Sequence, residues 1–403
     1  MSTSTNAVDT LEVSETPTLV VSATRPSPPR PSPDYDLAVV SRAFLEELMR
    51  CHLLDAADVA EHFGRDLHGL SQCGSVEEVG AALVQAGLLT DYQLRRILRG
   101  ETYGLVLDNN RVLGLLGSGS MGTVYLAEHI FMRRRVAVKI LPVDGDCPSE
   151  VLGRFCSEMR VLADLRHPHI VMAYDAGTLS PTTPDEPMLL YLVLELMPGG
   201  DLQKYVDQHG PAPVPQACQW AYEAASGLQE AHDNHLIHRD VKPSNLLLSA
   251  SGHVKIVDFG LVRQFSSLLT GPRALLGTVE FMAPEQSEDS ATVGSQADIY
   301  GLGATLFWLL TGEPPYPRTK RITQAIQRLQ DSPPRRVSAL RPDIPQELDA
   351  LVQRMLERDP VRRPALPLSI MRALQPFCPN RRTSRAAAEA GHEQPSYSPL
   401  STA

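Results

Sequence analysis

Nothing in this chain is arranged like a disulfide framework or a zinc site. Its six cysteines, at 51, 73, 147, 156, 218 and 378, are scattered, and no two stand in C-x-x-C spacing. Reduced thiols in a cytoplasmic protein are the expectation. A secretory leader is not expected either, since Met1–Thr10 has neither a basic region nor an apolar one. Long apolar runs are few. The strongest are Met188–Met197, broken by Glu195, and Ile299–Leu310; both fall short of the ~18–20 residues of a membrane span. Positive charge is in deficit, with 37 Lys and Arg against 47 Asp and Glu and a formal net charge of -10. That balance argues against nucleic acid as the main partner, because phosphate backbones select basic faces. What remains is a chain of 403 residues, 43% of them hydrophobic, with room for a core and for more than one domain.

Composition changes along the chain. Residues 1–36 are rich in Ser, Thr and Pro, and Arg25-Pro-Ser-Pro-Pro-Arg-Pro-Ser-Pro33 suits neither helix nor central strand. A disordered arm is expected, with docking or phosphorylation as its functional alternative. Residues 37–104 read as helical and repeat themselves. Phe44, Leu48, Met49, Leu53, Leu54 and Val59 recur as Val79, Leu83, Val84, Leu88, Leu89 and Leu94, at a constant offset of 35 residues. Ser75 with Glu78 and Thr90 with Gln93 read as capping boxes, and Gly100 as a stop. Two helix–turn–helix units, about four helices in all, are too few for a solenoid. Their surface is expected either to bind a protein partner or the rest of the chain, or to pack as a plain appendage. Residues 377–403 are polar and small, and a disordered tail is expected there.

The chemistry concentrates between His235 and Gly260. Leu246–Leu248 and Val254–Val257 flank Ser249-Ala-Ser-Gly252, which predicts a β-hairpin closed by a glycine turn. Asp240, Lys242 and Asn245 stand before it and Asp258 after it. Phosphoryl transfer to a hydroxyl calls for such a set: a carboxylate for the acceptor, a cation for the moving group, and an amide and a second carboxylate for metal. Upstream, Gly117-Ser-Gly-Ser-Met-Gly122 has strand-like sequence on both sides, so its glycines sit at a hairpin tip rather than opening a helix. No Gly-Lys-Ser/Thr follows, which excludes a Walker loop. Val136-Ala-Val-Lys139 alternates as a strand. Pro148-Ser149 opens a helix on which Glu158 and Leu162 face one side. His167 and His169, two apart around a proline, do not suit a metal.

These motifs, His238-Arg239-Asp240 with Asn245 and then Asp258-Phe259-Gly260, together with the glycine loop and Lys139, resemble those of protein kinases. The resemblance covers residues 111–376 and is similar to bacterial Hanks-type serine/threonine kinases. It implies an α+β fold with a β-rich lobe, a helical lobe and ATP between them, preceded here by a small all-α domain. It implies a nucleotide site made of Gly117, Ser118, Gly119, Ser120, Met121, Gly122, Val124, Ala137, Lys139, Glu195, Met197, Asp201 and Asn245. Leu194 would guard the pocket behind. Asp240, Lys242, Lys139 and Glu158 would carry catalysis, with Mg²⁺ on Asn245 and Asp258. Arg239, Thr270 and Thr278 would be regulatory, Thr270 as an activating phosphosite with Ser266 and Ser267 behind it. Ala283-Pro-Glu285 and Lys242 favour Ser/Thr residues of proteins as acceptors over small molecules, and Arg363 should pair with Glu285. A pseudokinase scaffold acting through the helical segment is the alternative; its usual mark is a lost lysine or carboxylate, and neither is lost.

Overall fold

The computed structural model describes residues 39–379, except 65–66, 68–69, 71–72, 74, 120–121, 144–152, 154–158, 160–161, 184, 260–278, 288–292 and 320. The arm over 1–36 and nearly all of the tail over 377–403 lie outside the described residues. By its own contacts the chain divides into two units, Met1–Leu88 and Leu89–Ala403.

The first unit holds α1 (Val39–Arg50), α2 (Ala56–Phe63) and α3 (Val76–Gln85). Leu48, Leu53, Leu54, Val59, Val79 and Leu83, all periodic positions of the repeat, are buried, as is Leu45, while Phe44 is half-buried. The repeat extends to the helix ends. After α1 the Leu53 N–H returns to the Leu48 carbonyl at 2.9 Å around His52, at φ of 57°. After α3 the Leu88 N–H returns to the Leu83 carbonyl at 2.9 Å around Gly87, at φ of 72°. Both satisfy last-turn carbonyls by the same six-to-one bond. Helices α2 and α3 start on side-chain caps: Asp55 accepts the Ala57 N–H, and Ser75 accepts the Glu78 N–H.

The second unit opens with α4 (Asp91–Leu98), then builds an antiparallel sheet from β1 (Val106–Leu107), β2 (Asn110–Gly119), β3 (Gly122–His129), β4 (Arg134–Val143), β5 (Ala173–Leu179) and β6 (Met188–Glu195). The strand order is β1-β2-β3-β4-β6-β5. Alternation on β4 sends Val136, Val138 and Ile140 to a core shared with Val112, Ala127, Tyr191 and Val193. Strand β5 reaches Leu179, because Thr178 and Leu179 still pair with Leu190 and Leu189.

The helical lobe follows: α5 (Leu202–His209), α6 (Val214–Asp233), the hairpin β7 (Leu246–Leu248) and β8 (Val254–Ile256), α7 (Gln296–Thr311), α8 (Ile322–Asp331), α9 (Gln346–Met355) and α10 (Pro367–Leu374). Every residue of α7 from Ala297 to Leu310 is buried, as its apolar run requires of a helix with no wet face. Gly301 lets α7 approach the chain at Val241: a Cβ there would stand 2.7 Å from the Val241 carbonyl oxygen. Cys51, Cys73, Cys218 and Cys378 are free thiols, and burial pushes Cys218 up to about 12. Among the described residues no helix is long and apolar enough to cross a membrane.

Arg363 locks the lower lobe. Its side chain is fully buried against Glu285, with bidentate bonds of 2.6 and 2.8 Å. Its remaining N–H groups go to the carbonyls of Glu357, Gln296 and Arg358, so the whole guanidinium fork is satisfied. Breaking a buried pair leaves an uncompensated charge at a cost of about 3–5 kcal/mol. Arg363→Ala is expected to lose about that much in denaturant unfolding; an unchanged midpoint would show that the pair is dispensable.

Candidate active site

The hairpin β7–β8 pairs Leu246 with Ile256, Leu247 with Lys255 and Leu248 with Val254. Gly252, at φ of 78°, makes its turn. Helix α6 holds the turn end. Trp220 donates to the Gly252 carbonyl at 3.0 Å, and the buried Glu223 carboxylate accepts the Val254 N–H at 2.7 Å and meets His253 Nδ1 at 2.7 Å. At the open end the Val257 N–H donates to the Asn245 carbonyl at 3.0 Å. The two chain segments that leave the hairpin are thus kept side by side, and Asp240, Lys242, Asn245 and Asp258 stand on them.

Of these side chains, Lys242 and Asn245 converge on Asp240. Asn245 Nδ2 donates to the Asp240 carbonyl at 2.8 Å and to Asp240 Oδ2 at 3.1 Å. Lys242 Nζ lies 2.8 Å from the same Oδ2. Asp240 is buried, so its charge is held by an ammonium and an amide rather than by water. With Asn245 Nδ2 used on Asp240, its amide oxygen is the atom left for a cation. From the sheet, Lys139 Nζ reaches Asp258 Oδ1 at 2.8 Å, an ion pair whose angle lies outside hydrogen-bonding range. Lys139 stands opposite Val124 and Leu192 on β4. Asp258 has φ of 61°, and this turn carries its carboxylate from the end of the hairpin toward the sheet. Glu158 lies outside the described residues, as do Ser120, Met121, Thr270 and Thr278.

The loop from Gly117 to Gly122 joins β2 to β3, and Gly119 pairs with Gly122. Gly122 has φ of 110°, and a Cβ there would meet the Ile140 carbonyl oxygen at 2.6 Å, so only glycine fits. Ser118 and Thr123 hydroxyls face each other across the tip at 3.4 Å. Val124, Ala137, Leu194, Met197 and Leu247 all belong to or pack on one apolar cluster that runs from the sheet into the helical lobe. Leu247 has the signal to be read from sequence: Leu246 and Leu248 are buried on one face of the hairpin, which turns Leu247 to the other. The Glu195 carboxylate is occupied by Lys255 Nζ at 2.8 Å, which ties the end of β6 to β8. Asp201 caps α5, accepting the Lys204 N–H at 2.8 Å, and also meets Lys204 Nζ at 3.3 Å.

Asp298, which in the sequence only precedes the apolar run Ile299–Leu310, also belongs to this site. Fully buried in the first turn of α7, it accepts the His238 N–H at 2.8 Å on Oδ2 and the Arg239 N–H at 2.6 Å on Oδ1. His232 Nε2 completes the set at 2.8 Å from Oδ2. His238 in turn donates from Nε2 to the Val257 carbonyl at 2.9 Å and accepts the Asp240 N–H on Nδ1 at 3.2 Å, which assigns its tautomer. Gln286 Nε2 donates to the Arg239 carbonyl at 2.8 Å, and its Oε1 accepts the Ala283 N–H. His167 and His169 are structural: His169 Nδ1 contacts the Val254 carbonyl, and burial lowers the His167 pKa.

Asp298→Asn keeps the size of the side chain but turns one oxygen into a donor facing a donor. It is expected to lose about 1–3 kcal/mol of unfolding free energy. A variant as stable as wild type would show that the carboxylate does not hold this loop.

Comparison with known proteins agrees with this geometry. Residues 111–375 match the family model described as protein kinase domain. The chain is 35% identical over 256 residues to serine/threonine-protein kinase PrkC of Bacillus subtilis, covering 63% of this chain and 38% of the relative. It is 36% identical over 253 residues to serine/threonine-protein kinase PknB of Mycobacterium leprae, covering 62% and 40%. The chain thus spans roughly two fifths of the length of these relatives. A crystal structure of the PknI kinase domain of Mycobacterium tuberculosis superposes with a TM-score of 0.53 at 28% identity, covering 68% of this chain and 97% of that one. The family match takes in the glycine loop, the Lys139 strand, the Asp240 hairpin and the Arg363 lock, and the chain belongs to the protein kinase domain family.

Proposed function

We propose that this chain is a cytoplasmic, ATP-dependent kinase that transfers the γ-phosphate of ATP to serine and threonine hydroxyls of proteins. It would comprise a helical module over 37–104 that offers a surface to a protein partner, and a catalytic domain over 111–376. The observation that carries the reading is the mutual contact of Asp240, Lys242 and Asn245 beside the Lys139–Asp258 pair. Nothing in this set favours a scaffold without catalysis.

The residues divide the work. The loop from Gly117 through Ser118, Gly119, Ser120 and Met121 to Gly122 presents backbone N–H groups to phosphate. Val124 and Ala137 close on the adenine, and backbone groups of Glu195 and Met197 meet its edge. Asp201 would contact the ribose only by sharing oxygens that already serve Lys204. Lys139, steadied by Glu158, holds the α- and β-phosphates. Asn245 and Asp258 would offer the oxygens that Mg²⁺ prefers. Mg²⁺, when bound, neutralises charge on the triphosphate. Asp240 orients the acceptor hydroxyl and takes its proton, and Lys242 stabilises the charge on the transferred group. The relatives bear the name of serine/threonine kinases, and the same acceptor class is taken over here.

Arg239 suggests control. The residue is half-buried and directly precedes Asp240, and an arginine binds a phosphate group bidentately. A phosphate on Thr270 would supply about −1.5 to −2 charges, while Thr278 would contact the catalytic loop.

Assay of the full chain with γ-labelled ATP, followed by phosphosite mapping, tests both parts. Asp240→Asn is expected to fold and bind ATP yet transfer phosphate ~10²–10⁴ more slowly; near wild-type turnover would sink the assignment. Thr270→Ala is expected to lose activation. Full activity in that variant, with no phosphate between Asp258 and Glu285, would dismiss the switch.

A further inference from the structure

Helix α4 does more than precede the sheet. Its capping box is complete: Thr90 Oγ1 accepts the Gln93 N–H at 3.2 Å, and Gln93 Oε1 accepts the Thr90 N–H at 2.8 Å. A box closed in this way needs nothing else. Yet both side chains also reach β2. Thr90 Oγ1 donates to the Leu113 carbonyl at 2.6 Å, and Gln93 Nε2 donates to the Val112 carbonyl at 2.7 Å. Gln93 is fully buried.

The two carbonyls sit where β2 is irregular. Val112 pairs with Ala127 and Gly114 with Leu126, which leaves Leu113 as an extra residue, and a second shift falls between Leu115 and Gly117. An extra residue bends and twists a strand. Here the bend lies just before Gly117, so its angle sets where the glycine loop points. Tyr92 adds a contact on the other arm of the loop, its ring 6.0 Å from that of Tyr125 on β3. Arg96 donates to the Tyr103 carbonyl at 2.8 Å, and the Tyr103 hydroxyl to that of Pro187 at 2.7 Å, which anchors α4 to the far edge of the sheet.

We propose that Gln93 and Thr90 are positioning residues for nucleotide binding: through the Val112 and Leu113 carbonyls they hold the bend of β2 that aims the glycine loop. The inference rests on reading Gly117–Gly122 as the phosphate cradle for ATP. It gives α4, which lies outside the matched family region, a part in the reaction. If the bend is released, fewer molecules hold the loop in its binding position, and apparent affinity for ATP falls by that fraction.

The test uses the full chain and compares Gln93→Glu, Thr90→Val and Thr90→Ser with wild type. Glu is the ordinary partner in a capping box, so Gln93→Glu keeps the box and replaces the donor to β2 with a buried carboxylate oxygen facing the Val112 carbonyl. Its KM for ATP is expected to rise about five-fold or more, with kcat and the KM for protein substrate changed far less. Thr90→Val should follow it, and Thr90→Ser should stay near wild type. Amide exchange at Gly114–Gly119 should accelerate in the first two variants. KM does not depend on the fraction folded, so a helix that merely covers the sheet would lower the melting temperature and leave KM alone. Unchanged ATP KM and unchanged exchange in Gln93→Glu would overturn the proposal. A wild-type chain that binds no ATP would overturn the kinase reading instead, and the exchange comparison would still decide whether the clamp exists.

Discussion

The catalytic loop depends on one buried carboxylate, that of Asp298. The segment from His235 to Asp240 turns through two non-glycine residues with positive φ, His235 at 60° and Arg239 at 62°. Such positions cost of order 1–3 kcal/mol each and persist only where their surroundings over-determine them. Asp298 supplies that determination at Arg239, accepting the N–H groups of His238 and Arg239 on its two oxygens. It can do so with precision because α7 is buried all round and has no freedom to shift. From there the order passes to His238, which bridges Asp240 and Val257, and so to both strands of the hairpin.

In the proposed reaction the acid–base residue is one that others place. Asp240 is fixed at its backbone by His238 and at its carboxylate by Asn245 and Lys242. The helical lobe supplies most of these restraints. The sheet contributes Lys139 and the glycine loop, and two ion pairs join it to the hairpin side: Lys139 with Asp258, and Glu195 with Lys255. A site built across two such layers would, on the proposed reading, keep Asp240 rigid while the glycine loop above is set through α4 and β2.

What could be read from the sequence was what is local. The hairpin, the strand that carries Lys139 and the glycine tip announce themselves within a few residues, by alternation and by turn chemistry. The Arg363–Glu285 lock spans a long separation and was legible only through family resemblance. Asp298, Gln286 and Glu223 were not legible, because each acts on a backbone group far away in sequence and no periodicity marks the partner. Asp201 shows the opposite limit. It reads as a ribose contact by resemblance, but an aspartate just before a helical run is also an N-cap, and its oxygens serve that role. Gln93 was read as a purely local capping residue; its second bond, to Val112, depends on how α4 lies on the sheet.

Amide hydrogen exchange in the resting wild-type chain tests the central claim most directly, since it reports on each N–H that Asp298 is said to hold. The account requires the His238 and Arg239 amides to exchange as slowly as those in the middle of α7, through opening of the whole lobe. Exchange at those two amides as fast as in an exposed loop would contradict it.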